Sequence, residues 1–208
     1  MIITDVIEAV KNALQEMEKQ YCKLSELDYS KVYHRIREQA KSEKYLERPI
    51  AYEFYHQLRK LMEMSVVDFG GPVVQAEVDK RYQHCFQIGK VPDFIIHMPN
   101  KKRNLAVIEF KLASNLDKVT NDFNKLSEFK ENQSLKYENI IEVIIGDKVS
   151  LGNAKNKIKR VGKCKGNKIT IIEFNTDSWN VADVYCIRYQ QLSCNQHNKP
   201  PPNFISDK

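Results

Sequence analysis

No apolar run in this 208-residue chain approaches the roughly 20 residues that a membrane-spanning helix needs. The opening residues, Met1-Ile2-Ile3-Thr4-Asp5, lack the basic region and long apolar core of a secretion signal. Cysteine is present without a framework: Cys22, Cys85, Cys164, Cys186 and Cys194 are odd in number, scattered, and form no Cys-x-x-Cys pair. That pattern argues against a disulfide scaffold or a zinc site and points to free thiols in a reducing cytoplasm. There is no phosphate-binding Gly-x-x-x-x-Gly-Lys loop, no Gly-x-Ser-x-Gly elbow and no His-Glu-x-x-His helix. Five scattered histidines offer no ligand spacing, and no internal repeat is visible. The net charge of +6 permits a polyanionic partner and equally serves solubility.

The length suits one domain with a helical extension. Residues 1–46 read as that extension, 47–190 as an α/β core and 191–208, with Pro200-Pro201-Pro202, as a flexible tail. In the extension, Ile3, Val6, Ile7, Val10, Leu14, Met17 and Tyr21 carry helical spacing to about residue 24, capped by Thr4 or Asp5. A second charged helix is expected over 30–44, with Tyr33, Ile36 and Ala40 inward. Neither shows catalytic spacing; packing or a homodimer contact is the expected use.

Pro49 suits the first residue of a helix running to about residue 64, with Ile50, Phe54, Leu58, Leu61 and Met62 inward. Glu53 stands about 100° from the centre of that stripe, a border position from which it reaches a cleft edge or solvent. Phe69-Gly70-Gly71-Pro72 is a turn, and residues 73–80 alternate as a strand, with Gln75, Glu77 and Asp79 on its polar face. His84 and Cys85 are adjacent and would face opposite ways on any strand. Residues 116–131 read as a helix with Leu116, Val119, Phe123, Leu126 and Phe129 inward. Residues 140–145 read as a short apolar strand closed by Gly146-Asp147. Strands are expected at 169–174 and 184–189, and Trp179 as a core or loop anchor.

Function is written most plainly in five residues, Pro92-Asp93 and Glu109-Phe110-Lys111. They border strands 91–97 and 105–112, joined by a polar loop with Pro99-Asn100 and Lys101-Lys102-Arg103 as turn chemistry. An antiparallel hairpin centred on Lys101 sets Asp93 opposite Glu109, and alternation sends Glu109 and Lys111 to one face. Opposed like charges destabilise a strand pair unless compensated, and a divalent cation is the natural compensator. A structural Glu109–Lys111 salt bridge is the bland alternative. A second Glu-x-Lys, at Glu128-Phe129-Lys130, falls in a polar helix and reads as solvated surface. Leu105, Ala106, Val107 and Ile108, by contrast, mark a strand buried on both faces.

These residues resemble the motif of the PD-(D/E)xK phosphodiesterase superfamily, and the order helix, three strands, helix, strand from Pro49 to Asp147 resembles its core. The resemblance implies a restriction-endonuclease-like mixed central sheet flanked by helices. It implies a Mg²⁺-dependent nuclease, with Mn²⁺ as a substitute ion, acting on DNA ahead of RNA. Asp93, Glu109 and Lys111 then carry catalysis. Asp93, Glu109, the Phe110 carbonyl and Glu53 are the expected metal ligands. The basic run Lys155, Lys157, Lys159 and Arg160 is expected either to hold nucleic acid, on a loop or short helix, or to be a solvated face. The rival function is a non-catalytic nucleic-acid-binding or protein-interaction module of the same fold.

Overall fold

The computed structural model of the chain describes residues 2–24, 44–76, 91–99, 101, 103–131, 135–161 and 166–189. It is a mixed α/β structure built on a six-stranded sheet ordered β3-β4-β5-β6-β7-β8: Val73–Ala76, Phe94–His97, Asn104–Leu112, Asn139–Gly146, Asn167–Asn175 and Asn180–Tyr189. The pairs β5–β6 and β6–β7 are parallel, and the other neighbours are antiparallel. No helix among the described residues is long and apolar enough to cross a membrane.

The sheet direction dictates where the helices go. The chain steps from β5 to β6 to β7 in one direction, so two crossovers of the same hand place both connecting helices on one face. Those helices are α3 (Leu116–Glu131) and α4 (Lys148–Val161), and their apolar sides join Ile95, Val107, Ile140, Ile144, Ile169 and Ile171 in one core. The opposite face carries α1 (Val6–Gln15) and α2 (Glu47–Glu63), over Phe94, Ile108, Phe110, Val143, Ile172 and Phe174. A strand between two such layers has no solvated face. Of the nine residues of β5, eight are buried.

Local signals explain most boundaries. Asp5 caps α1 by accepting from the Glu8 amide at 2.9 Å. Helix α2 starts at Glu47, two residues before the expected Pro49, which still lies in the first turn, where the missing N–H costs nothing. Gly70 and Gly71 turn with φ of 67° and 113°, a region that side chains disfavour. Gly146 is needed for a different reason: a Cβ there would come within 2.7 Å of the Ala113 Cβ. The Asp147 carboxylate accepts from the Val149 and Ser150 amides, both at 2.9 Å, and starts α4. Trp179 is the expected anchor; its Nε1 donates to the Met17 carbonyl at 2.7 Å and its ring packs on Phe174 and Tyr45.

Several expectations change. The first helix stops at Gln15 instead of running to about residue 24; a 3₁₀ turn (Lys19–Tyr21) and strand β1 (Lys23–Leu24) follow, β1 pairing with β2 (Lys44–Tyr45). Tyr21, expected inward, is 60% exposed because it lies on that turn. Helix α1 shares the core of α2 and β8, with Val10 and Leu14 fully buried. Strand β4 begins at Phe94, not Val91, and β8 begins at Asn180. The strand at 139–146 is not wholly apolar, since Glu142 interrupts it. The second helix expected at 30–44 lies outside the described residues but for Lys44, which belongs to β2, and so do the continuation of β3 with Glu77 and Asp79, the His84-Cys85 pair and the tail.

Phe110 ties the motif strand to the core. Its ring packs against Phe54 at 4.9 Å and Phe94 at 5.6 Å, on the face opposite Glu109 and Lys111. Phe110→Ala is expected to cost about 3–5 kcal/mol in urea unfolding. Phe110→Leu should cost much less, because it keeps most of the volume.

Candidate functional site

The hairpin register brings the motif together. Phe94, Ile95 and Ile96 pair with Ile108, Val107 and Ala106, and the only slip is a bulge at Ile96/His97, beside the loop. Asp93, one residue before β4, therefore comes level with Glu109, and its Oδ2 accepts from the Phe110 amide at 2.7 Å. Side-chain alternation sends Glu109 and Lys111 towards α3.

What surrounds them is richer than the motif. Lys111 Nζ lies 3.0 Å from Asp122 of α3 and 3.2 Å from Glu47 of α2, and it donates to the Phe110 carbonyl at 2.9 Å. Glu109, 1% exposed, meets Lys125 of α3 at 2.5 Å. Lys125 also donates to the Val91 carbonyl at 2.7 Å. Glu142 stands beside Glu109 in parallel register and is fully buried. Neither of its carboxylate oxygens has a hydrogen-bond partner among the described residues.

Burial and charge act against each other here. Burial, then the nearby Asp93 charge, push the Glu109 carboxyl up to about 8, although Lys125 opposes them. Burial likewise raises Asp93, against the Phe110 amide and the two lysines, and it raises Glu142 well above the ordinary carboxylate range. For Lys111, burial favours the neutral amine, but Asp122 and Glu47 outweigh it and hold the ammonium protonated.

Not every expected residue is at the site. Glu53 is directed away: its Oε1 accepts from the Glu18 amide at 3.1 Å and from Gln57 at 2.7 Å, fastening the N-terminal segment to α2. It lies six positions beyond Glu47, about 9 Å along the helix axis. The acid that α2 offers is Glu47, in its first turn. The Phe110 carbonyl is present but occupied by Lys111. Of the two forms expected for the basic run, Lys155 to Arg160 take the helical one, as the second half of α4, which begins earlier at Lys148. Lys155 is drawn in by Glu173 and Asp183, and Lys157 pairs with Asp117 at 2.5 Å. Lys159 and Arg160 are exposed.

Glu47, Asp122, Lys125 and Glu142 escaped the sequence reading. Asp122 and Lys125 each precede an inward residue of α3, Phe123 and Leu126, so they edge its apolar stripe. Glu142 has the plainer signal, a lone acid inside an apolar strand.

A pocket of about 300 Å³ opens beside Asp93, lined by Glu47, Arg48, Ala51, Tyr52, Ala76, Val91 and Phe94. The donors suit a hard cation, since they are carboxylate oxygens, and Glu142 leaves two of them orphaned at full burial. No three acids or other metal-binding side chains among the described residues converge as a ready cage. Any ion received here would therefore be held by few carboxylates and completed by water, a shell of the kind Mg²⁺ accepts.

Two outcomes follow. The folded state holds the Glu109 proton more tightly than the unfolded chain, whose carboxyl titrates near 4.5. The stability this contributes is complete below 4.5 and lost as pH rises to about 8. Urea melts in chelator should therefore weaken across that window in wild type, and less so in Glu109→Gln. Secondly, Lys155→Gln should destabilise by removing the ammonium beside the buried Glu173, while Lys159→Gln with Arg160→Gln should leave the melting temperature unchanged.

Comparison with protein-family models, with curated proteins and with solved structures finds no match to this chain.

Proposed function

We propose that this protein is a metal-dependent nuclease of the PD-(D/E)xK kind, hydrolysing phosphodiester bonds in DNA ahead of RNA, on a restriction-endonuclease-like core. One observation carries the reading: Asp93, docked on the Phe110 amide, meets Glu109 and Lys111 at one end of the hairpin, beside an open pocket. The order α2, β3, β4, β5, α3, β6 supports it, because it follows the core expected from the resemblance.

Asp93 and Glu109 are the carboxylates that would hold Mg²⁺ or Mn²⁺. Such an ion supplies an acidified water and Lewis-acid stabilisation of phosphoryl oxygens. The chain's own residues do the rest. The Phe110 amide orients Asp93, and Glu47 and Asp122 keep Lys111 charged at the height of the sheet end. An ammonium so placed is a fixed donor for charge gathering on a phosphoryl oxygen. Arg48, exposed at the pocket rim, offers a planar fork for a backbone phosphate.

The rival, a non-catalytic binding module, draws on the Lys125–Glu109 pair, which satisfies part of the acidic charge without an ion. Cleavage separates the two. Single-stranded, duplex and branched DNA should be cut with Mg²⁺ or Mn²⁺. Asp93→Ala and Lys111→Ala should each lose at least roughly a hundredfold in rate, as for removal of a charge-stabilising group. Wild-type rates in both variants, or no cutting of any substrate by wild type, would reject the nuclease reading.

A further inference from the structure

Five carboxylates, Glu47, Asp93, Glu109, Asp122 and Glu142, gather around two ammonium groups, Lys111 and Lys125. The lysines are already committed. Lys111 serves Asp122, Glu47 and the Phe110 carbonyl, and Lys125 serves Glu109 and the Val91 carbonyl. None of their close contacts reaches Glu142. Its carboxyl is 0% exposed, without a hydrogen-bond partner on either oxygen among the described residues.

A buried carboxylate in that state is costly, and a proton alone does not relieve it. A protonated acid still carries an O–H with no acceptor and a carbonyl with no donor. A partner that approaches both oxygens and carries positive charge would satisfy the lone pairs and the charge together. The register says where it would sit. Glu109 and Glu142 are Cα partners on adjacent parallel strands, about 4.8 Å apart, and their side chains leave the sheet on the same face.

We infer that Glu142 is a further cation-binding residue, which with Glu109 forms an inner subsite for a divalent ion beneath α3. The inference takes from the proposed function only that the Asp93–Glu109 end receives such an ion. Two carboxylates on neighbouring strands and several waters make a suitable shell for a small hard cation. Glu109 is then shared between the outer position facing Asp93 and the inner one facing Glu142, and Lys125 is the group an entering ion displaces. Glu173, another buried acid on the same face, does not belong to this subsite, because the Tyr185 hydroxyl at 2.7 Å and Lys155 already satisfy it.

The test is calorimetric titration of the full chain with Mn²⁺, beside thermal melts in chelator and in Mn²⁺. Glu142→Gln keeps the shape and removes the charge; Glu142→Met removes the donors as well. Both should bind Mn²⁺ at least roughly tenfold more weakly, or with one ion fewer. Metal-free Glu142→Gln should melt no lower than wild type, while its Mn²⁺-induced rise shrinks. Glu173→Gln should bind Mn²⁺ as wild type does. Wild-type affinity and stoichiometry in both Glu142 variants would overturn the inference, as would equal weakening by Glu173→Gln or no Mn²⁺ binding by wild type. If Mn²⁺ binding depends on Glu142 but no DNA is cut, the nuclease reading falls and the subsite stands. If Mg²⁺ supports cleavage while the Glu142 variants bind Mn²⁺ normally, the subsite falls alone.

Discussion

Burying β5 on both faces is the constraint from which the rest follows. A strand sandwiched between α1/α2 and α3/α4 has no solvent to hydrate a charge, yet this one ends in Glu109 and Lys111. Each charge must find partners inside the protein or be neutralised. The protein answers with partners from every layer: Lys125 from α3 for Glu109, and Asp122 from α3, Glu47 from α2 and Asp93, just before β4, for Lys111. A fold that carried these charges for stability alone would do better with apolar residues of similar size. Their cost is the physical reason to look for function there.

The same constraint explains the division of labour within Glu109-Phe110-Lys111. Alternation gives Phe110 to the aromatic cluster with Phe54 and Phe94 and turns its two neighbours the other way. A packed ring thereby fixes the height of the two charged side chains. Its amide, pointing along the sheet, also holds Asp93. One residue sets both the anchor of the site and the orientation of its first carboxylate.

Electrostatic imbalance sets the protonation of this cluster. Acidic groups outnumber ammonium groups, and burial penalises whatever charge remains uncompensated, which is why Glu109, Asp93 and Glu142 all favour their protons more than free carboxylates do. Under the proposed reading, a cation entering such a cluster would replace protons and lysine contacts rather than fill a rigid cage, and its binding would be coupled to proton release.

Much of this was legible in the sequence. The numbering of Asp93 and Glu109 about Lys101 placed them level, and an unbroken apolar run before Glu109 marked a doubly buried strand; pairing of Phe94 with Ile108 bears out that register. Helix α3 emerged with its inward stripe because 3.6-residue periodicity is a local property. Partner choice is not local. Whether Glu47 or Glu53 reaches the sheet end depends on which turn of α2 overhangs β5, and whether Lys155 pairs with Glu173 depends on how α4 lies on β7. Glu142 shows the difference most sharply. In one dimension it is a single acid in an apolar strand; only the parallel register of β6 on β5 sets it beside Glu109 and leaves its charge without an answer. Sequence determined which residues are charged and which faces they share, because those follow from chain periodicity. Tertiary structure decided which charges are compensated, because that depends on distances between segments far apart in the chain.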